Sequence, residues 1–481
     1  MNDKRFHRLI IGTVSFGSFI GALDMSIVNI SLPAIISDFN VPIGLGSMVV
    51  LSYLLTLTCL ILFMGNLADR FGFRRIFLAG LLVFGIGSIL CGFASCIYAL
   101  IASRMIQAAG AAMLSATGAA IITRYLPGHV RGRAMGYLIT FSAIGYALAP
   151  GLGGLLSGYI SWRLIFLINI PVVIIGFFLG RHSIPEDGGG HGFKCLDLPG
   201  LTLFIVSLAG ILTGFSLYQV PGTPDSVLLL LFTIGICAGI TWYLRERRSI
   251  CPLVNRELGS NRDFILGLAA SFIVMALFSG VTYLMPLYLV NSRHLEVFVA
   301  GMIMTIPALL SMVIAPISGG LSDAYGTRIV SIIAIGLAAV GYLTILTFNP
   351  ATAIILIVAG VLIARVATAA FCGPNGKMIM SHCPPTAIGN GAGIMMPVRH
   401  AGLVFGIPLF QSVFAIRMYL EGVVRDGTPL VPRITPAQAV LGYQAVYLVA
   451  LCLSIVVIVL IYLDKETSQE YEEPSYEEQA I

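Results

Sequence analysis

The chain has 481 residues, of which 58% are hydrophobic and only 10% charged; an ordinary soluble domain has roughly a quarter charged residues, so a soluble globular protein is excluded. The formal net charge is +5, but the basic residues sit in short loops between apolar runs, so the excess marks membrane topology and no nucleic-acid partner is expected. Nine cysteines are scattered without a C-x-x-C pair, which indicates neither a disulfide framework nor a metal site, and no cofactor is expected.

A bilayer core about 30 Å thick takes about 20 apolar residues of helix. Fourteen such segments start near residues 9, 44, 76, 97, 134, 164, 199, 226, 264, 298, 329, 352, 387 and 443, the thirteenth interrupted by Pro397, Arg399 and His400. The N-terminus runs into the first segment without an A-x-A cleavage pattern, so helix 1 is expected to stay in the mature protein. The N-terminus and alternate loops carry nineteen Lys and Arg residues, and the opposite loops carry five, namely Arg163, Arg293, Arg417, Arg425 and Arg433. The positive-inside rule therefore places both termini in the cytoplasm.

Helix 1 reads A-L-D-M-S-I-V-N-I-S-L-P, with Asp24 sixteen residues beyond Arg8, or about 24 Å into the bilayer. An intramembrane acid is costly and is by default a functional candidate. At about 100° per residue, Gly17, Gly21, Asp24 and Ser31 share one face and Asn29 points roughly the other way. Asp24 is thus expected in a cavity and Asn29 in an interhelical hydrogen bond. After helix 2 comes G-N-L-A-D-R-F-G-F-R-R, with Gly65, Asp69, Arg70, Gly72, Arg74 and Arg75. Its glycines suit a tight turn, its arginines the anionic inner leaflet, and a gate latch is the expected role.

Helix 4 carries Arg104 and Gln107 at a depth compatible with pairing to Asp24. Burial opposes the charge of the carboxylate and a nearby Arg favours it, so the pair reads either as a proton switch or as a structural salt bridge. Helix 5 presents Gly145, Ala149, Pro150, Gly151, Gly153 and Gly154, a small-residue face with one helix hydrogen bond removed, suited to an interface that forms and breaks.

Gly65, Asp69, Gly72 and Arg74 return as Gly319, Asp323, Gly326 and Arg328 at an offset of 254, and Gly132, Gly136 and Gly145 return as Gly389, Gly393 and Gly402 at 257. Duplicated bundles with a site between them are the architecture of secondary transporters. Residues that stop helices, Pro185 and Gly188 to Gly190, and the polar stretch Arg245 to Arg262 mark boundaries. The expected division is a six-helix bundle at 1–182, cytoplasmic segments with two additional helices at 183–262, a second six-helix bundle at 263–463, and an acidic, disordered cytoplasmic tail at 464–481.

These motifs, in this order, resemble those of a major facilitator superfamily transporter of the fourteen-helix drug:proton antiporter type. The resemblance covers essentially the whole chain before the tail, including D-x-x-G at Asp197 and Gly200 and the Arg399 and Gly402 pair in helix 13. It implies an all-α polytopic fold of two six-helix bundles plus two linker helices. By the same resemblance Asp24 would couple proton and substrate, Arg104 would support it, and Asp69 would lock the inner gate. Asp24, Arg104, Gln107, Arg399 and His400 are the substrate-cavity candidates. The chain departs from the pattern at Ala149, where glycine is common, and at His400, where glutamine is. No acid lies well inside helices 8 to 14, whereas Arg104, Arg365 and Arg399 are intramembrane cations. A neutral or monocationic lipophile, or an organic anion, fits better than a dication.

The expected function is export of small lipophilic compounds against protons by alternating access, by a monomer in the plasma membrane. A second transport reading is efflux of an endogenous lipid or organic anion held by the cationic groups of helices 4, 12 and 13. A membrane sensor without transport is opposed by the absence of a large cytoplasmic domain. An enzyme is opposed by the lack of a partnered nucleophile, a metal cluster or a Walker lysine motif, and a peptide symporter by the lack of E-x-x-E-R in helix 1.

Overall fold

The computed structural model describes residues 3–186, 197–218, 223–248, 256–347, 352–383, 388–421 and 436–464. Among these, every regular element is helical. Helices satisfy their own backbone groups, which a chain in hydrocarbon requires.

The first bundle comprises α1 (Asp3–Phe39), α2 (Ile43–Phe71), α3 (Phe73–Gly92), α4 (Ile97–Tyr125), α5 (Gly128–Tyr159), the single turn α6 (Leu164–Leu167) and α7 (Asn169–Ser183). Then come α8 (Leu198–Leu217) and α9 (Asp225–Glu246), which pack on each other, α8 also touching α2 and a helix of the second bundle. A short α10 (Arg256–Ser260) leads into α11 (Arg262–Leu287), whose N-cap Asn261 accepts from the Asp263 and Phe264 amides. After Pro286 this helix widens into a π turn, Tyr288–Ser292. The second bundle continues with α12 (Val297–Tyr325), α13 (Thr327–Leu346), α14 (Ile354–Ser381), α15 (Ile388–Leu420) and α16 (Pro436–Leu463).

Thirteen helical stretches among the described residues are long and apolar enough to cross a membrane, α6 and α7 forming one of them. The fourteenth segment is α8, 20 residues and about 30 Å long. The segment starting near 387 is continuous through Arg399 and His400 in spite of Pro397 and Pro408. Large apolar side chains such as Ile86, Leu229, Ile236 and Leu343 stand exposed on the outside, as lipid contact requires.

The internal repeat is visible in the packing. A Cβ on Gly145 would lie 2.6 Å from the Phe19 carbonyl oxygen, and one on Gly402 would lie 2.4 Å from the Phe272 carbonyl oxygen. The α5 on α1 and α15 on α11 contacts are therefore copies of one backbone-to-backbone approach, which small residues alone permit. The turns between α2 and α3 and between α12 and α13 repeat as well: Gly72 has φ 99° and Gly326 has φ 86°, values glycine adopts without a Cβ penalty.

The two bundles meet along α5 and α12. A Cβ on Gly301 would lie 2.4 Å from the Pro150 carbonyl oxygen, and one on Gly154 would lie 2.9 Å from that of Val297. The Tyr159 and Phe298 rings lie tilted against each other beside them, with centroids 5.4 Å apart. This seam lies toward the end of the molecule that holds the C-terminal end of α5 and the N-terminal end of α12.

Candidate functional site

Asp24 on α1 is wholly buried, at 0% exposure, and Arg104 on α4 is 1% exposed. Arg104 NH1 donates to Asp24 Oδ2 at 2.6 Å and to Gln107 Oε1 at 2.6 Å. Gln107 Nε2 donates to Asp24 Oδ1 at 2.8 Å and to Ser88 Oγ at 2.8 Å. Asn169 Nδ2, at the start of α7, adds a third donor to the carboxylate at 3.0 Å. Arg104 Nε donates to the Val49 carbonyl at 3.2 Å, and its guanidinium lies 4.0 Å from the centre of the Tyr53 ring. A buried ion pair is tolerated when further hydrogen bonds satisfy both partners, and this one is so completed.

A small cavity lies between the bundles. Met25, Ser26 and Asn29 of α1 and Tyr146 of α5 form part of one wall, and Phe278, Thr282 and Arg365 part of the other. Positions 25, 26 and 29 share one face of α1 at about 100° per residue, while Asp24 turns toward α4 and α7. The expected faces are therefore reversed: Asn29 borders the cavity with Oδ1 unpartnered, and Asp24 is sealed in the first bundle. The carboxylate is held where three donors converge, away from the cavity.

Of the other cavity candidates, Arg104, Gln107, Arg399 and His400 are not among the walls. Arg399 is tied between helices, donating from Nε to Ser271 Oγ at 3.0 Å and from NH2 to the Cys372 carbonyl at 2.9 Å. His400 Nδ1 is buried without a partner. Arg365, which the sequence marked as an intramembrane cation and, in the second transport reading, as one of the groups holding an anion, is in the wall and 7% exposed. Asn169 was not singled out; a lone amide in the apolar run L-I-N-I-P was the available signal.

Arg74 NH1 meets Glu186 Oε1 at 2.9 Å and NH2 donates to the Arg181 carbonyl at 2.7 Å. Arg328, its repeat counterpart, donates to the Tyr462 carbonyl. Each cation thus reaches the C-terminal end of the last helix of its own bundle, where carbonyls concentrate negative partial charge. Asp323 pairs with Lys377, again within one bundle. Arg70 and Arg75 are exposed, Arg70 lying over the Phe71 ring at 5.2 Å. The Asp69 side chain is outside the described residues. Asp197 caps α8, accepting from the Gly200 amide at 3.0 Å and from Arg245 Nε and NH2 at 3.0 Å, and so ties the start of α8 to the end of α9. A Cβ at Gly200 would lie 2.6 Å from Asp197 Oδ2, which accounts for the D-x-x-G spacing.

A second titratable cluster joins three helix ends of the second bundle. His382 Nε2 lies 2.9 Å from Asp464 Oδ1, and with Asp263 their donor atoms fall within 4.8 Å of one another, a set that could hold a metal ion. Asp464 is 3% exposed; the first residue expected in the disordered tail therefore belongs to the folded body, and residues 465–481 lie outside those described.

Two repeated helix bundles, a cavity between them and a sealed ion pair beside it define a polytopic membrane transporter of the secondary type. The model of the Major Facilitator Superfamily matches residues 14–194 and 244–407, and the chain belongs to that superfamily. It is 31% identical over 411 residues to the riboflavin transporter RibZ of Clostridioides difficile (strain 630), covering 85% of this chain and 88% of the relative. To the multidrug resistance protein Stp of Mycobacterium tuberculosis (strain CDC 1551 / Oshkosh) it is 29% identical over 432 residues, covering 88% and 80%. Its fold matches that of a bacterial homolog of the human lysosomal transporter Spinster, in an inward-facing and unoccupied conformation, with TM-score 0.68 and 14% identity over 95% of this chain and 97% of the other. The chain is a transporter and not an enzyme.

Proposed function

We propose that the chain is a proton-coupled exporter of small lipophilic compounds in the plasma membrane, with both termini cytoplasmic. The observation that carries this reading is the placement of α1, which holds the sealed Asp24 on one face and the cavity residues Met25, Ser26 and Asn29 on the next. Protonation of Asp24 removes the charge that holds Arg104 NH1 at 2.6 Å. Any resulting shift of α1 moves the cavity wall, so proton and substrate act on one rigid element. The kinship with a multidrug resistance protein supports export. On this reading the basic loops are inside, the packed Gly154 and Gly301 seam is the outer end of the molecule, and the packing there supports a state closed to the outside. The 464–481 tail is proposed as a cytoplasmic extension beyond the anchored Asp464.

A second reading is favoured by Arg365 and by the relative named as a riboflavin transporter: movement of a larger aromatic compound rich in hydrogen-bond acceptors. Proteoliposomes with a trapped pH indicator and an imposed pH gradient separate the two. Proton release driven by a lipophilic monocation or neutral drug supports multidrug export, and a response confined to riboflavin supports the second reading. A substrate that crosses without any proton movement contradicts coupling.

A further inference from the structure

Arg104, Arg365 and Arg399 stand well inside spanning helices, and two of them have an acceptor for Nε. Arg104 faces the Asp24 carboxylate, and Arg399 donates to Ser271 Oγ and the Cys372 carbonyl. Arg365 is different. Its NH1 donates to Thr282 Oγ1 and its guanidinium lies 4.5 Å from the centre of the Phe278 ring, yet its Nε, unlike that of Arg104 and Arg399, is buried without an acceptor, and like Arg399 it has no carboxylate partner among the described residues. A guanidinium has five N–H donors in a planar fork, and burying a charge without its counter-charge is costly. Thr282 occupies NH1 and leaves the Nε edge, the one suited to two parallel hydrogen bonds to a carboxylate.

This group also lies in the wall of the cavity between the bundles. Around it the wall is apolar at Met25, Leu54, Leu403 and Ile407, and across the cavity Asn29 of the other bundle holds an unpartnered buried oxygen. A cation with an unfilled donor edge, in a wall that mixes these apolar side chains with Ser26, Asn29, Tyr146 and Ser279, suits a molecule with an apolar body and one anionic group.

We propose that Arg365 is the substrate-recognition cation of this transporter and that the cavity takes small amphiphilic organic anions, their carboxylate seated on the Nε edge of Arg365. Thr282 acts as a positioning residue that fixes the plane of the guanidinium. The proposal deepens the transport reading above by naming the substrate class of the same cavity, and it rests on that reading.

The test is thermal unfolding of the purified full-length protein in detergent with three ligands of one shape, 2-naphthoate, 2-naphthamide and 2-naphthylmethylammonium. Saturable stabilisation by naphthoate, with an affinity at least about tenfold above the other two, is the expected result. Arg365→Gln should lose that preference while its ligand-free midpoint equals or exceeds that of the wild type, because an uncompensated buried charge has gone. Arg365→Lys should keep the preference for the anion at lower affinity. Thr282→Val should weaken naphthoate several-fold and leave naphthamide unchanged. Equal binding of naphthoate and naphthamide, no binding by any of the three, or wild-type naphthoate binding by Arg365→Gln would overturn the proposal. So would a lowered ligand-free midpoint in Arg365→Gln, which marks a structural residue. The assay needs no gradient: if naphthoate preference is absent while proton-linked transport of another compound persists, the anion site alone falls, and if the preference holds without proton movement, the coupling reading alone falls.

Discussion

Asp24 and Asn29 stand five residues apart on α1 and face separate surroundings, the carboxylate sealed against Arg104, Gln107 and Asn169, the amide bordering the cavity between the bundles. One helix therefore joins a sealed ionisable group to a cavity wall. Under the proposed function, coupling by this arrangement would be mechanical, through the position of α1, and would need no contact between substrate and Asp24.

The sealed pair should behave as a unit. Removing one partner of a buried pair leaves the other charge uncompensated and costs about 3–5 kcal/mol. Arg104→Gln is expected to lower the thermal midpoint strongly, and Asp24→Asn combined with Arg104→Gln to recover part of the loss. A double-mutant cycle on unfolding in detergent measures the recovery; additive losses would show that the two groups act independently. Asn169→Leu, which removes one donor to the carboxylate, should cost about 1–3 kcal/mol.

The seam between the bundles depends on the absence of a side chain at Gly301. A methyl there would sit 2.4 Å from the Pro150 carbonyl oxygen, and overpacking of this kind costs about 1–3 kcal/mol. Gly301→Ala should shift the population away from the closed seam by about tenfold or more. Labelling of Asn29→Cys by an impermeant thiol reagent from the seam side should rise in the Gly301→Ala background. Unchanged labelling would mean that the seam is not a gate.

His382 supplies a pH dependence outside the membrane-spanning helices. Its hydrogen bond with Asp464 raises its pKa above the ordinary 6.5, burial works the other way, and the charges of Asp464 and Asp263 add to the rise. The facing neighbours also include Asn261, whose Nδ2 donates to the His382 carbonyl at 3.3 Å. A raised folded value means stability fully present below the unfolded value and lost as pH climbs through the folded one. The thermal midpoint should therefore fall as pH rises above the ordinary histidine value of about 6.5, and His382→Gln should flatten that part of the curve. An unchanged slope in the variant would assign the dependence to other groups.

The fold was legible because its signals are long and redundant: apolar runs of spanning length, a two-sided basic count, and glycines in register at Gly72 and Gly326 and at Gly145 and Gly402. The pairing of Asp24 with Arg104 was legible from depth. The face on which each polar residue of α1 lies was not, since Asp24 and Asn29 are about 140° apart on a helical wheel and the wheel does not say which side neighbours α4. Asn169 and Arg365 were underweighted for the same reason, as their significance lies in contacts from helices distant in sequence. Arg74 and Arg328 read as a latch from their charge, but their described contacts go to helix ends within their own bundles.

The central claim is that Asp24 links proton movement to the motion of α1. Its most direct test compares, in the same proteoliposomes, substrate counterflow without a gradient and uphill accumulation driven by a pH gradient, for wild type and Asp24→Asn. The account expects the variant to retain counterflow, because the bundles still alternate, and to lose gradient-driven accumulation. Accumulation driven by the pH gradient at the wild-type level in Asp24→Asn would contradict it.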